Sequence, residues 1–369
     1  MSPGIDTSQS RICGCWVEVL PTIVSNGESK DNVVPLAIKA LYQSIIKKDR
    51  MGELDPDYTE SYAAALARLR KALPDSHTSQ YVGFAAASMC LTLSEVLFPT
   101  TTDGWRRHIQ GISDLMQLIG PDVHRSGAAY KLFVGFRPLL VTEAFIARKA
   151  TFVASQEWIS IPFQFNTASP MQTLLSYATI IPSLLEKADF DTASPTTDDI
   201  CAEFEQVLCT LLQWENTQVE VEFGNPYWAK AATSTTISSH GSSPSTLLWF
   251  PNILFANAFT HLWTFQIICL SEIARLRAGR TDTLLSTKSS LPSEIMNEDY
   301  VFKLSTKICQ SMEYQLQDEM KLYGPASVLF PLRIARATFD SDPARHQKEI
   351  SWCDEFVDQL RSKGIHLAP

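Results

Sequence analysis

Acidic residues at one-turn spacing are the clearest candidates for metal chemistry in this chain. Asp198 and Asp199 are followed by Glu203, and on a helix Asp199 and Glu203 lie on the same face. Mg²⁺ prefers carboxylate oxygens, completed by water and substrate phosphates, so these three residues form a candidate magnesium site. The alternative interpretation is structural, because acidic residues in a first turn also stabilise the positive end of the helix dipole.

A second set of polar residues interrupts the most apolar stretch, residues 249–270. Asn257 and His261 lie one helical turn apart and could line a cavity or bind a metal ion. The alternative for His261 is a core histidine with satisfied hydrogen bonds. Trp263 belongs to an aromatic stripe that suits either a core or an apolar cavity wall. Because polar groups are costly in a bilayer, we predict a buried helix here and no membrane span.

Apolar residues at three- and four-residue spacing predict helices through most of the chain. Residues 216–245 and 278–297 are polar and predict long loops. We therefore expect one large all-α domain over residues 16–369, able to enclose a central apolar cavity, preceded by a flexible segment of residues 1–15. The predicted helices cover residues 34–48, 58–73, 80–98, 105–119, 128–148, 171–185, 199–214, 252–277, 300–321 and 347–361.

Composition excludes several classes of protein. Apolar residues make up 45% of the 369 residues, which is enough to build a core, so a disordered chain is excluded. The net charge of −9, without a run of Lys and Arg, disfavours an extended phosphate-binding face, so we expect no direct nucleic-acid binding. The sequence has no G-x-S-x-G, P-loop or G-x-G-x-x-G motif to anchor a hydrolase, kinase or dinucleotide function. The N-terminal residues lack a secretory signal pattern, and the eight scattered cysteines predict reduced thiols.

Short motifs follow one another in a fixed order from about Trp16 onward. In this order they resemble the large C-terminal helical domain of fungal zinc-cluster transcription factors. The motifs are Trp105-x-x-His108-x-x-Gly111-x-x-x-Leu115 with Gly120-Pro121, then Phe136-Arg137, residues 147–152, residues 157–163, residues 308–314, Gly324-Pro325, and Phe330-Pro331-Leu332.

One departure from that family changes the functional expectation. Those factors bind DNA through six N-terminal cysteines that hold two zinc ions. Here only Cys13 and Cys15 lie in the first 89 residues, and two thiols cannot complete one four-ligand zinc site. The helical domain without its DNA reader resembles the non-standard fungal humulene synthases of tropolone-sesquiterpenoid pathways. That resemblance implies magnesium-assisted loss of diphosphate from farnesyl diphosphate, with an essential lysine that helps to hold the leaving group.

The second resemblance also implies roles for individual residues. Lys288 lies among hydroxyl-bearing residues of the 278–297 loop and is the candidate for the essential lysine, with Leu284 nearby. The alternatives for Lys288 are a solvated loop lysine or replacement by Lys303 and Lys307 of the next helix. We expect the remaining substrate contacts to come from five residues, namely Arg148, Asn257, His261, Trp263 and Tyr314.

Two functions follow as expectations. The first is a cytoplasmic, Mg²⁺-dependent sesquiterpene cyclase that converts farnesyl diphosphate to a humulene-type hydrocarbon. The alternative is a nuclear, transcription-regulator-like protein that acts through protein partners. The sequence does not indicate an oligomeric state.

Overall fold

The computed structural model describes residues 15–26, 33–46, 56–72, 80–190, 197–221, 225–231, 244–278 and 291–365. Within these ranges the chain is mostly helical. It has two short strands, β1 (Trp228–Ala231) and β2 (Thr246–Trp249), which pair antiparallel with Trp228 opposite Trp249. The helices are α1 (Leu20–Asn26), α2 (Val34–Ile46), α3 (Pro56–Ala72), α4 (Tyr81–Leu97), α5 (Gly104–Ile119), α6 (Gly127–Ala147), α7 (Gln156–Ser160), α8 (Pro170–Ala178), α9 (Ile181–Phe190), α10 (Thr197–Val221), α11 (Ile253–Ala278), α12 (Glu298–Gln310), α13 (Met312–Gln315), α14 (Tyr323–Ser327), α15 (Leu329–Phe339) and α16 (Gln347–Ser362).

The all-α prediction is confirmed, and one continuous hydrophobic core extends from Trp16 to Ile365. Apolar residues on one face of each amphipathic helix are buried together in that core, which makes the chain a single helical domain. All seven cysteines in the described ranges are free thiols.

Proline lies at two places where the helices differ from the prediction. The single helix expected over residues 171–185 is two helices, α8 and α9, because Pro182 in the first turn of α9 cannot continue a preceding helix. Helix α15 was not predicted, and Pro331 lies near its start. Proline is tolerated there because the first N–H groups of a helix need no intrahelical partner.

Two further differences concern a break and a sheet. The helix expected over residues 300–321 ends at Gln310 as α12, and the short α13 follows. At the break, Ser311 Oγ donates to the Lys307 carbonyl at 2.8 Å. Strand β1 lies within the loop predicted over residues 216–245 and β2 directly follows it. Each strand has only four residues, which is too short for a clear alternating pattern.

Helix α6 lies between two groups of helices. It contacts α4 and α5 on one side, and α8 and α9 on the other. Pro138 within α6 removes the hydrogen bond that would reach the Val134 carbonyl. Gln172 Nε2 of α8 donates to that carbonyl at 3.1 Å instead, so the proline is accommodated without an unpaired backbone oxygen.

Helix α11 is the central helix of the second group and packs against α8, α10, α12 and α15. By length and composition it could cross a membrane, but 83% of its most apolar window is buried inside the protein. Its apolar surface is therefore covered by other helices, as expected for the core helix of a folded domain.

Candidate functional site

A cavity of 1250 Å³ lies where α1, α2, α4 and α5 meet α6, α11 and the C-terminal helices. Pockets that hold drug-sized molecules are typically about 300–1000 Å³, so this one can take a large ligand. Each group of helices contributes to the wall, for example Leu93 of α4, Leu139 of α6 and Phe330 of α15. The cavity is thus a product of the whole fold and not of one loop.

The wall is mainly aliphatic and aromatic. Trp16, Trp105, Tyr323 and Phe330 supply the aromatic rings. Glycine at position 135 is needed for this wall, because a Cβ there would lie 2.8 Å from Trp16 Cδ1. Such a surface binds apolar chains by removing their surface from water.

Three polar side chains interrupt the apolar wall at one place. Asn257 Nδ2 donates to Tyr323 Oη at 3.0 Å, and His261 Nδ1 lies 2.8 Å from the backbone carbonyl oxygen of Asn257. Asn257 is only 4% exposed, and its Oδ1 has no hydrogen-bond partner among the described residues. Whichever way the amide is turned, one of its polar groups is buried without a partner among the described residues, which costs free energy.

His261 presents a neutral imidazole to this site. Burial lowers its pKa to about 4, so the ring carries no charge at neutral pH. Because Nδ1 faces a carbonyl oxygen, which can only accept, the proton is on Nδ1 and Nε2 is left as an acceptor. The site therefore contains hydrogen-bonding capacity without net charge.

Cations occur in the exposed part of the same lining. Lys321 and Arg333 are exposed, and neither side chain forms an ion pair or hydrogen bond with another described residue. We call these two residues the rim cations. Lys363 also lines the cavity, but its Nζ lies 2.6 Å from Asp318 Oδ1. Unpaired cations beside an apolar cavity can attract an anionic group.

The backbone at Lys321 is irregular. Its φ of 49° is in the left-handed region that non-glycine residues rarely adopt. Three residues later, Gly324 packs so closely that a Cβ would lie 2.1 Å from the Gln315 carbonyl oxygen. The strained conformation at Lys321 is the kind of feature that often occurs at binding sites.

The predicted magnesium residues lie elsewhere. Asp199 and Glu203 line a groove between α9 and α10, together with Lys187, while Asp198 is half-buried in the first turn of α10. Lys187 Nζ lies 3.1 and 2.9 Å from the two oxygens of Glu203, so a lysine already neutralises this carboxylate.

The described residues contain no site that is suited to a magnesium ion. No group of three or more His, Cys, Asp or Glu side chains there is arranged to hold a metal ion. Because Glu203 is paired with Lys187, the acidic groove does not fit the donor set that Mg²⁺ prefers. The magnesium requirement stays a prediction.

Three predicted substrate residues lie outside the cavity lining. Arg148, at the end of α6, is paired with Asp189 at 2.7 Å and Glu272 at 2.8 Å. Trp263 is fully buried against Tyr227 and beside Lys307. Tyr314 packs against Trp249 and Phe250, and burial raises its pKa to about 12.

Of the predicted substrate residues that the structure describes, only Asn257 and His261 lie in the cavity wall. Leu284 and Lys288 lie outside the described residues. The sequence analysis did not select Lys321, Tyr323 or Arg333. Tyr323 directly precedes the Gly324-Pro325 motif, which was the one available signal, whereas isolated basic residues such as Arg333 have no distinctive spacing.

Comparisons with known proteins give no functional assignment. No family model matches the chain, and no solved structure is significantly similar to it. A relative in Emericella nidulans, the uncharacterized protein AN5342, is 26% identical over 157 residues. That alignment covers 41% of this chain and 32% of the relative, so the matched segment spans about a third of the relative's length.

Proposed function

We propose that this chain is a ligand-binding helical domain that takes an amphipathic anion into its cavity. The observation that carries this proposal is the combination of a large apolar cavity with two unpaired cations in its exposed lining. The apolar wall would take the body of the ligand and the rim cations would hold its acidic group. Small-molecule sites commonly combine an apolar pocket with a few polar groups in this way.

We propose further that occupancy of the cavity regulates protein partners, as in a transcription-regulator-like protein. The wall is shared by α4, α6, α11 and α15, so a bound ligand would contact helices from both halves of the domain. Ligand binding stabilises the arrangement that it fits, and can thereby change the surface offered to a partner. The ordered motifs that resemble the helical domain of zinc-cluster transcription factors support this proposal.

A reporter assay tests the regulatory proposal. The full chain would be fused to an unrelated DNA-binding domain, and transcription of a reporter would be measured in a fungal host. We expect transcription above that of the DNA-binding domain alone, and loss of the increase when Leu139→Trp fills the cavity. A matched variant, Ser183→Trp, places the same bulk in the α9–α10 groove and should leave the reporter unchanged. Reporter output at the background level, or equal output from all three fusions, would contradict the regulatory role.

A sesquiterpene cyclase is the second candidate, favoured by the neutral imidazole of His261 in an aromatic cavity wall. In this reaction the C–O bond of farnesyl diphosphate breaks and the diphosphate leaves with the electron pair. The rim cations would stabilise that leaving group, and aromatic faces would stabilise the carbocation. A carbon–carbon double bond then closes the ring, and loss of a proton to His261 Nε2 would yield the hydrocarbon. Lys288 stays a predicted additional contact to the diphosphate.

Turnover separates the two candidates. Purified protein would be incubated with farnesyl diphosphate and Mg²⁺, and the products examined by gas chromatography. A humulene-type hydrocarbon that is lost in Leu139→Trp but retained in Ser183→Trp would support the cyclase. If the wild-type protein binds farnesyl diphosphate yet forms no hydrocarbon while a known cyclase does, the enzymatic candidate fails and the ligand-binding proposal stands.

A further inference from the structure

The unpartnered amide of Asn257 distinguishes this cavity from an ordinary apolar pocket. Nine buried side-chain nitrogen or oxygen atoms in the described ranges have no hydrogen-bond partner. Of the residues that carry them, only Asn257 lines the cavity. A buried amide in an apolar wall is stabilised when a ligand supplies its missing hydrogen bond.

The surrounding groups define which ligand group would fit. His261 Nε2 accepts, Asn257 Oδ1 accepts, and the Tyr323 hydroxyl, which already accepts from Asn257 Nδ2, retains its own proton to donate. A hydroxyl group matches this set, since it can donate to one acceptor and accept from the tyrosine. A carboxylate does not, because it would face two acceptors in a buried and uncharged environment.

We propose that the natural ligand carries two polar groups, namely an acidic group bound by Lys321 and Arg333 and a hydroxyl bound by Asn257, His261 and Tyr323. The ligand class is therefore a hydroxylated apolar acid, such as a hydroxy fatty acid or a hydroxylated isoprenoid acid. This inference rests on the proposed binding function and adds the identity of the ligand's second polar group. Recognition of the hydroxyl would give specificity, because a ligand without it leaves buried polar groups unpaired.

Matched ligands test the inference. Binding of lauric acid and of hydroxylauric acids, with the hydroxyl at successive carbons, would be measured by isothermal titration calorimetry on the full chain. We expect at least one hydroxylated acid to bind about tenfold more tightly than lauric acid, as one added buried hydrogen bond allows. Binding of lauric acid with no preference for any hydroxylated acid would overturn the inference and leave the proposed function intact. Failure of every acid to bind would overturn the proposed function.

Variants assign the preference to the named residues. Asn257→Leu should abolish the tenfold preference, so that lauric acid and the hydroxylated acids bind this variant with equal affinity. Tyr323→Phe removes a single hydroxyl and should reduce the preference, which keeps the test valid if the leucine variant does not fold. Ser305→Ala is the matched control, because Ser305 Oγ is also buried and unpartnered but lies outside the cavity lining. A preference that survives in both Asn257→Leu and Tyr323→Phe would contradict the assignment.

Discussion

The groove between α9 and α10 and the large cavity differ in how their polar groups are satisfied. In the groove, Lys187 pairs with Glu203, and Glu186 accepts a hydrogen bond from the Ala150 amide at 2.9 Å. In the cavity, Asn257 Oδ1 has no hydrogen-bond partner among the described residues, and neither rim cation forms an ion pair with a described carboxylate. Paired groups hold helices together, whereas unpaired ones can stabilise a ligand. The spacing of acidic residues in the sequence pointed to the groove as a binding site, whereas the unpaired polar groups in the structure point to the cavity.

Lowering the pH should destabilise the folded protein through protonation of His261. Its pKa is about 4 in the folded chain, and near 6.5 when the chain unfolds, so the unfolded chain binds more protons between these pH values. The free energy of unfolding should therefore fall as pH decreases from about 6.5 to 4, with a contribution of about 3 kcal/mol from this residue. Urea unfolding of the wild type and His261→Phe at both pH values measures it. The wild type should lose more stability than the variant, and equal losses would contradict the neutral, buried imidazole.

Filling the cavity should have the largest effect on ligand binding. Leu139→Trp adds bulk to the wall at α6, and we expect at least a ~100-fold loss of affinity for farnesyl diphosphate, or about 2.7 kcal/mol. Ser183→Trp in the groove should bind as the wild type does. Fluorescence titration compares the two proteins. A loss in Ser183→Trp and not in Leu139→Trp would assign the ligand to the groove.

Removing one rim cation should weaken binding by less. Arg333→Ala and Lys321→Ala are each expected to reduce affinity for farnesyl diphosphate about tenfold, since each loses one charge-assisted contact. Lys187→Ala, which removes a paired lysine of the groove, should have no effect on affinity. Raising the salt concentration should reduce wild-type affinity more than that of either rim variant. Unchanged affinity in both rim variants would show that the anionic group binds elsewhere.

Of these variants, Arg148→Ala should have the smallest effect, and it should lower only the stability of the protein. The guanidinium is about a third exposed, and Arg275 also pairs with Glu272 at 2.7 Å, so this carboxylate keeps a partner. We expect a loss of about 1 kcal/mol in the free energy of unfolding and unchanged ligand affinity. Thermal denaturation and calorimetry measure the two quantities separately. Loss of affinity at normal stability would return Arg148 to the binding site, where the sequence analysis placed it.

Sequence periodicity was a good guide to the helices, because burial of one apolar face determines where a helix forms. It missed α15, in which Pro331 occupies a permitted position, and it merged α8 with α9. The binding site was harder to predict. Asn257 and His261 were found because polar residues stand out in an apolar helix, but Arg333 becomes notable only when the fold places it beside the cavity.

Helix α11 has a consequence for synthesis of the protein. Its partners α8 and α10 precede it in the chain, whereas α12 and α15 follow it, and α15 is complete only at Phe339. When synthesis has just reached residue 278, α11 therefore exposes an apolar surface long enough to span a bilayer, because α12 and α15 have not yet been made. Such intermediates aggregate or engage chaperones. The ribosome must deliver some sixty further residues (roughly several seconds of translation) before that surface can be enclosed.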